Sequence, residues 1–297
     1  MTVIAVNAAT GSAAWGQAEA GRWRDSVAAW ARWADPLAEL ADRLNQPLLD
    51  AAGVGAGGAD EVVLDLAAGV GEPALSAARR LGPAGRVIGV DLVPGMAAVA
   101  ASRARAGGAG RVAFLAADMA ALPLAAAAVD RVTCRFGLMF VARPEAALAE
   151  VHRVLRPGGR AAFMVWGPKA DNLLFEVLEA VVDEVLGPPV ASGGDLRSLF
   201  RFAGTGSLAG LLAAAGFVGV TEQALMPVRK VPAGAPFWQA TLEMTLGSRL
   251  ATATPDQRRR VPAGIETRFA ALAVAGTVAV PLHARIVTGT RMEEPRD

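Results

Sequence analysis

The chain has 297 residues, of which 53% are hydrophobic, so it can build a sizeable core and disorder is not expected. Its 29 basic and 28 acidic residues give a formal net charge of +1, which offers no electrostatic reason to expect nucleic acid or an anionic membrane as the main partner. One cysteine and two histidines exclude an intrachain disulfide and make a metal site unexpected, and they suit a reducing, cytoplasmic setting.

The first 55 residues predict a helical segment. No basic stretch followed by a long apolar run opens the chain, and no run reaches the about 18 apolar residues of a membrane span. Trp23, Trp30 and Trp33 share one helical face, which Leu37, Leu40 and Leu44 continue. A core-packing face is the ordinary interpretation. The alternative is a lid over a ligand site, with Trp23 touching the substrate.

Residues 60–168 alternate between strand and helix patterns. The strands are "EVVLDL", "GRVIGVDL", "RVAFLAAD", "VDRVTCRFG" and "RAAFMVWG", and "ARPEAALAEVHRVLRPGG" is a helix that Pro157 and two glycines end. Mostly apolar strands separated by helices predict a parallel sheet covered on both faces. Beyond residue 171 we predict two helices, a sixth strand in "GVTEQALMPV", a helical insertion over about 231–276 and a last strand in "TVAVPLHARIVTGTR". Residues 56–297 are thus expected to form one domain.

The loop "DLAAGVGE" joins the first strand to a helix. Gly69 and Gly71 let the backbone turn tightly and allow a ligand to approach without a side chain in the way. The same place carries GxGxxG in flavin and nicotinamide proteins, where the third glycine would fall at Ala74. Because alanine is tolerated there, the glycines alone leave a dinucleotide open.

Three aspartates end successive predicted strands, where open α/β sheets bind ligands. Asp65 would repel a pyrophosphate but suits a ligand with a cationic group. Asp91 can accept both ribose hydroxyls, and Asp118 can accept from an amino group on a base. Singly, each has an ordinary structural explanation: a helix cap, a solvated strand end or a turn. Together they describe a phosphate-free nucleoside with a positive end, which is S-adenosylmethionine.

With these residues in place, the chain resembles the class I S-adenosylmethionine-dependent methyltransferases. The segments that carry the resemblance are "VLDLAAGVGEPALSAARRL", "GRVIGVDLVPGMAAVA", "FLAADMAALPLAAAAVDRVTCRFGLMFV" and "ALAEVHRVLRPGGRAAFMVWG". The phrases "CRFGLMF" and "HRVLRPGG" are similar to the ubiquinone/menaquinone-biosynthesis (methyltransferase type 11) group. One departure is Ala67, where the family's loop usually carries glycine.

The resemblance implies a Rossmann-like α/β fold with a seven-stranded, mostly parallel sheet, a last strand in "LHARIVTGTR" that runs antiparallel beside "GVTEQALMPV", and helices on both faces. It also implies roles for individual residues. The turn from Asp65 to Gly71, including Ala67 and Gly69, would hold the methionine part, and Cys134 and Arg135 would pass near its amino group. Asp91 would bind the ribose, Leu92 would pack on the adenine, and Asp118 and Met119 would meet the adenine edge. Phe136 would face the substrate.

Methyl transfer from a sulfonium needs a general base only when the nucleophile arrives protonated. The sequence offers no clear base: His152 and His283 are expected to be structural, and Arg135 is a weak catalytic candidate. The aromatic N-terminal segment and the insertion around Phe237 and Trp238 would select the acceptor. We therefore predict O- or C-methylation of a hydrophobic or aromatic small molecule. An NAD(P)-dependent oxidoreductase and an inactive methyltransferase-like binding subunit stay open as alternatives, as does a homodimer.

Overall fold

The computed structural model describes the backbone of residues 8–189 and 196–293. Within these ranges the helices are α1 (Ala8–Trp33), α2 (Ala38–Ala52), α3 (Ala74–Arg80), α4 (Pro94–Ala106), α5 (Pro144–Val154), α6 (Leu173–Leu186), α7 (Ser207–Ala214), α8 (Gln239–Ala251) and α9 (Pro255–Ala271). The strands are β1 (Val62–Leu66), β2 (Arg86–Asp91), β3 (Val112–Ala116), β4 (Val129–Arg135), β5 (Leu155–Trp166), β6 (Phe217–Leu225), β7 (Val228–Pro232), β8 (Thr277–Pro281) and β9 (Ala284–Arg291).

The main sheet has seven strands in the order β3-β2-β1-β4-β5-β9-β6. Strands β1 to β5 pair in parallel, whereas β9 runs antiparallel to both β5 and β6. The prediction of a mostly parallel seven-stranded sheet with an antiparallel last strand is confirmed. The strand order reverses between β1 and β4, where open α/β sheets form a ligand-binding crevice at their carboxyl ends.

Apolar residues cover both faces of the sheet. On β5, Phe163 and Val165 belong to one buried cluster, whereas Ala162 and Met164 belong to another. Alternate residues of a strand point to opposite faces, so the two clusters lie on the two sides of the sheet. Helices α2 and α3 complete the second cluster, and α5, α6 and α7 complete the first. A core on both faces holds the carboxyl ends of the central strands in fixed positions.

Two predicted strands are each divided in the structure. The predicted sixth strand breaks into β6 and β7 near Pro227, and the predicted last strand breaks into β8 and β9 at Leu282 and His283. Proline has no backbone N–H to donate to a ladder, and the backbone N–H of Leu282 donates to the carbonyl of Pro227 at 3.0 Å across the break. Strands β7 and β8 form a separate antiparallel pair, and α8 and α9 lie between them in sequence.

The helix before β5 ends earlier than the sequence pattern predicts. Helix α5 stops at Val154, and β5 already begins at Leu155, ahead of Pro157. The residue before a proline avoids helical backbone angles, so Arg156 favours an extended conformation. The prediction that the helix continues to the two glycines is therefore wrong.

The N-terminal helix α1 packs against α4 and α8. Trp23 and Trp30 pack against a small buried cluster of Val70, Val93 and Met96. Trp33 points elsewhere: its indole N–H donates to Glu243 on α8 at 2.8 Å. The tryptophans thus divide between two neighbours. No helix within the described ranges is long and apolar enough to cross a membrane.

Candidate functional site

A cavity of about 270 Å³ lies at the carboxyl ends of the central strands, beneath α1. It is near the lower end of the range for small-molecule sites, about 300–1,000 Å³. The loop after β1, the ends of β2 and β3 and the loop after β4 form its floor, and α1 forms its roof. Among the predicted site residues, those that line it are Trp23, Ala67, Gly69, Asp91, Leu92, Asp118, Met119, Arg135 and Phe136.

A hydrogen bond joins Gly69 to Asp91 at the base of the cavity. Gly69 has a φ of 51°, and a Cβ placed on it would meet no described atom within 4 Å, so a ligand can approach the backbone here. The Asp91 carboxylate accepts from the backbone N–H of Gly69 and of Val93, each at 2.9 Å. Burial raises the pKa of Asp91, and these two hydrogen bonds oppose that shift. Carboxylate lone pairs that remain can accept ribose hydroxyls.

The residues that follow β2 and β3 fit an adenine ring. Leu92 is 51% exposed although it is apolar, so a planar base can cover it. Asp118 accepts from the backbone N–H of Ala120 at 2.8 Å, which fixes its carboxylate at the cavity edge. Met119 lies beside it in the cavity wall. The open backbone at Gly69, the carboxylate of Asp91 and this apolar surface together fit an adenosine that carries no phosphate.

Asp65, which the sequence predicts at the ligand, does not line the cavity. Its side chain is fully buried; one oxygen accepts from the Thr133 hydroxyl at 2.8 Å and the other from the backbone N–H of Ala74 at 3.0 Å. Desolvation by burial raises the pKa of Asp65 to about 7, although the Thr133 hydrogen bond and the charge of Arg135 oppose this shift. Asp65 therefore ties β1 to β4 and to the start of α3.

This buried carboxyl gives the fold a pH dependence. The folded state keeps the proton of Asp65 up to about pH 7, whereas an unfolded chain releases it near pH 4, so stability falls as the pH rises through this window. We expect the free energy of unfolding of the wild type to fall by about 3–4 kcal/mol more than that of Asp65→Asn over this range. Urea unfolding of both proteins at several pH values measures the difference, and parallel pH curves would contradict the assignment.

Ala67 takes a left-handed conformation with a φ of 51°, which is unusual for a residue with a Cβ. A Cβ placed on Gly137 would lie 2.3 Å from the Ala67 Cβ and 3.1 Å from Cys134 Sγ. The methyl group of Ala67 is therefore accommodated because residue 137 is a glycine. This contact shows how the chain tolerates alanine where the resembling family usually has glycine.

Cys134 and Gly71 also lie outside the cavity lining, in contrast to their predicted contacts with the ligand. Cys134 is 1% exposed, and burial raises the pKa of its thiol to about 12, so it is a packed side chain under the loop after β4. Gly71 has a φ of 115°, and a Cβ on it would lie 3.0 Å from the side chain of Leu75. Both residues shape the loops that line the cavity without reaching it.

Arg135 ends β4, although the sequence places it on the following loop. Its guanidinium donates to Asn45 Oδ1 at 2.8 Å, and Asn45 in turn donates to Glu72 Oε2 at 3.0 Å. Burial lowers the pKa of Arg135, and the charges of Glu72 and Asp65 oppose that shift. Glu72 lines the cavity and was missed by the sequence reasoning, because a glutamate after a glycine turn looks like an ordinary helix start.

Aromatic rings form a further part of the cavity wall. Phe136 stacks on Trp166 with ring centroids 3.9 Å apart and planes 3° from parallel. Trp23 meets Phe140 edge to face at 4.7 Å. All four side chains line the cavity. Trp166 and Phe140 were not predicted to line the cavity, because packing in the core of the sheet is enough to explain an apolar ring at either position.

Phe237 and Trp238 lie away from the cavity, and the prediction that they bind substrate is corrected. Phe237 packs against Phe269 at 4.8 Å, and Trp238 is 5% exposed within the main core. The insertion reaches the cavity through Thr245 of α8 instead. The apolar rings of the insertion are used to attach it to the rest of the fold.

Neither histidine lines the cavity. His152 stands edge to face against Phe217, and His283 pairs through Nδ1 with Asp171 at 2.8 Å. Across the described part of the chain, histidine, cysteine and acidic side chains form no group of three that can hold a metal ion.

Comparison with known proteins agrees with this geometry. Residues 63–159 match the family model described as a methyltransferase domain. The chain is 36% identical over 172 residues to the ubiquinone/menaquinone biosynthesis C-methyltransferase UbiE of Methylobacterium nodulans, covering 55% of this chain and 68% of that protein. It is 39% identical over 163 residues to the demethylmenaquinone methyltransferase of Thermus thermophilus, covering 52% of this chain and 73% of that protein.

Among solved structures, the fold is similar to that of the YcgJ protein of Bacillus subtilis. The TM-score is 0.52 at 21% sequence identity, and the match covers 80% of this chain and 94% of that chain. At this level of identity the similarity concerns the fold alone.

Proposed function

The chain belongs to the class I S-adenosylmethionine-dependent methyltransferases, in the group of the ubiquinone/menaquinone-biosynthesis enzymes, and on that premise we propose that it C-methylates a hydroxylated aromatic small molecule. The enzyme class, the cofactor and a small-molecule acceptor follow from this membership. The aromatic nature of the acceptor and the methylated atom are the parts that we propose.

The floor of the cavity would hold the cofactor. Asp91 would accept the ribose hydroxyls, Leu92 and Met119 would cover the adenine, and Asp118 would accept from its amino group. Gly69 and Ala67 would leave room for the methionine part beside Arg135. When bound, S-adenosylmethionine supplies a methyl group that is already activated by its sulfonium sulfur. The task of the protein is then to bring an acceptor close and to exclude water.

The observation that carries the proposed acceptor is the aromatic wall. Phe136 with Trp166 and Trp23 with Phe140 present four rings to one cavity. Planar apolar ligands gain both from burial and from ring stacking against such surfaces. C-methylation is favoured over O-methylation because the relative from Methylobacterium nodulans is named a C-methyltransferase.

The remaining features of the proposal follow from composition. A net charge of +1 favours a small-molecule acceptor over a nucleic acid. The single cysteine, Cys134, is free and buried, which suits a reducing cytoplasm. The proposed reaction is compatible with a homodimer and does not depend on one.

A panel assay tests the proposal. Purified protein is incubated with S-adenosylmethionine and one acceptor at a time: demethylmenaquinone with a short side chain, reduced to its quinol; 1-naphthol; phosphoethanolamine; or a lysine-rich peptide. S-adenosylhomocysteine production is followed over time, and the methylated atom is identified by mass spectrometry and NMR. We expect turnover with the aromatic acceptors and a new C–C bond. Methylation of the peptide or phosphoethanolamine alone would overturn the proposed acceptor class.

A further inference from the structure

We propose that Glu19 is the general base of this enzyme and takes the proton of the acceptor hydroxyl. The inference rests on the proposed function, because it requires an acceptor that arrives with an O–H group. It fills the gap that the sequence leaves, since neither histidine lines the cavity and the guanidinium of Arg135 donates to Asn45 and to the carbonyl of Glu72.

Glu19 is a carboxylate in the roof of the cavity. It lies on α1 one helical turn before Trp23, and it lines the cavity with its side chain only 6% exposed. A buried charged side chain is costly unless it is paired or has a task that needs it. Its ion-pair partner Arg22 lies over the rings of Trp23 and Phe140, which are part of the wall proposed for the acceptor.

Arg22 holds one oxygen of Glu19 in the roof of the cavity. Both Nε and Nη2 of Arg22 donate to Oε2, at 3.1 and 2.6 Å. The described residues offer no hydrogen bond to Oε1. Arg22 is itself fixed, because its guanidinium lies 4.6 Å from the ring centroid of Trp23 and 5.1 Å from that of Phe140. The carboxylate is thus oriented beside the rings proposed to contact the acceptor.

The other acids of the cavity lie at the end proposed for the cofactor. Asp91 and Asp118 accept from backbone N–H groups where the adenosine would lie. Glu72 lies beside Arg135, whose guanidinium donates to its carbonyl, at the end proposed for the methionine part. Among the described acids that line the cavity, this leaves Glu19 for the aromatic end. The charged groups near it are Arg22 on its own helix and Arg143 in the cavity wall beside Ala142, which faces α1.

The proposed step moves one proton and one methyl group. Glu19 Oε1 takes the proton of a ring hydroxyl, and the electron pair released into the ring forms the bond from the neighbouring ring carbon to the methyl carbon. The carbon–sulfur pair stays on sulfur, which becomes the neutral thioether of S-adenosylhomocysteine. The ring carbon then loses its hydrogen as a proton to solvent, the keto oxygen takes back the proton held by Glu19, and the ring regains its aromaticity, so that one proton is released net. No oxidant or reductant is required.

Glu19→Gln keeps the size and hydrogen-bonding shape of the side chain but removes the base. With the quinol of demethylmenaquinone we expect kcat to fall at least about 100-fold, the lower end of what a general base contributes. The affinity for S-adenosylmethionine, measured by calorimetry, is expected to stay within about twofold. An unchanged kcat would overturn the inference.

Glu39→Gln is the matched control. Glu39 lies on α2, is 89% exposed on its side chain and also pairs with an arginine of its own helix, so it undergoes the same change of charge away from the cavity. We expect this variant to keep the wild-type kcat.

A binding measurement separates failure of this inference from failure of the proposed function. With S-adenosylhomocysteine present, wild-type protein is expected to bind 1-naphthol at least about tenfold more tightly than 1-methoxynaphthalene, which has no hydroxyl proton to donate. Glu19→Leu is expected to bind the two equally. If the wild type turns over none of the panel acceptors but shows this preference, the proposed acceptor is wrong and the inference holds. If Glu19→Leu keeps the preference, the inference is wrong.

Discussion

Gly69→Val is expected to reduce the affinity for S-adenosylmethionine at least about 100-fold, or about 3 kcal/mol. The valine side chain would enter the open space above the loop, where the structure has no described atom within 4 Å of the Cβ position. The ligand would then lose its close approach to the backbone. Isothermal calorimetry with S-adenosylmethionine and with S-adenosylhomocysteine measures the loss.

Gly108→Val controls for backbone strain. Gly108 has a φ of 68°, and a Cβ on it also meets open space, but it is exposed at the end of α4 and does not line the cavity. A branched side chain at a positive φ destabilises both variants in the same way. We expect Gly108→Val to bind the cofactor as the wild type does. Equal affinities of Gly69→Val and the wild type would show that the cofactor does not lie over this loop.

Asp91→Ala is expected to weaken cofactor binding by about 1.5–3 kcal/mol, the scale of hydrogen bonds to a charged group. Two causes add: the ribose hydroxyls lose their acceptor, and the backbone N–H groups of Gly69 and Val93 lose the carboxylate that orients them. The dissociation constant should rise by about 10- to 150-fold in calorimetry.

Asp130→Ala is the matched control for this change. Asp130 is a partly buried aspartate that accepts from the backbone N–H of Val62 at 2.8 Å and pairs with Arg156, at the opposite end of β1. The Asp130→Ala protein should be less stable than the wild type but should keep its affinity for S-adenosylmethionine. If both variants lost affinity alike, the effect would come from a loosened sheet and not from a contact at Asp91.

The sequence predicts the sheet well because each central strand is a short apolar run that ends in a recognisable polar residue. Asp91 and Asp118 lie at the cavity as expected, since parallel strands bring their carboxyl ends to one edge. Asp65 follows the same pattern, yet its carboxylate is used within the fold by Thr133 and Ala74. Position along a strand predicts the edge of the sheet, but not the direction in which a side chain turns there.

The acceptor side was predicted less completely for a different reason. Trp23 reaches the cavity, whereas Phe237 and Trp238 pack within the fold. An apolar ring in the sequence is compatible with either placement, so the sequence does not tell them apart. Glu19 gives no signal in the sequence, because a glutamate followed three residues later by an arginine is an ordinary helical ion pair. Only the position of α1 over the cavity distinguishes the pair of Glu19 and Arg22 from a surface pair such as Glu39 and Arg43.

A crystal structure of the protein with S-adenosylhomocysteine tests the central claim most directly. We predict the ribose hydroxyls on Asp91, the adenine against Leu92 and Met119 with its amino group toward Asp118, and the sulfur facing the rings of Trp23 and Phe140 beneath Glu19. A nucleoside bound elsewhere in the molecule, or bound here with its sulfur turned away from the aromatic side, would contradict the account.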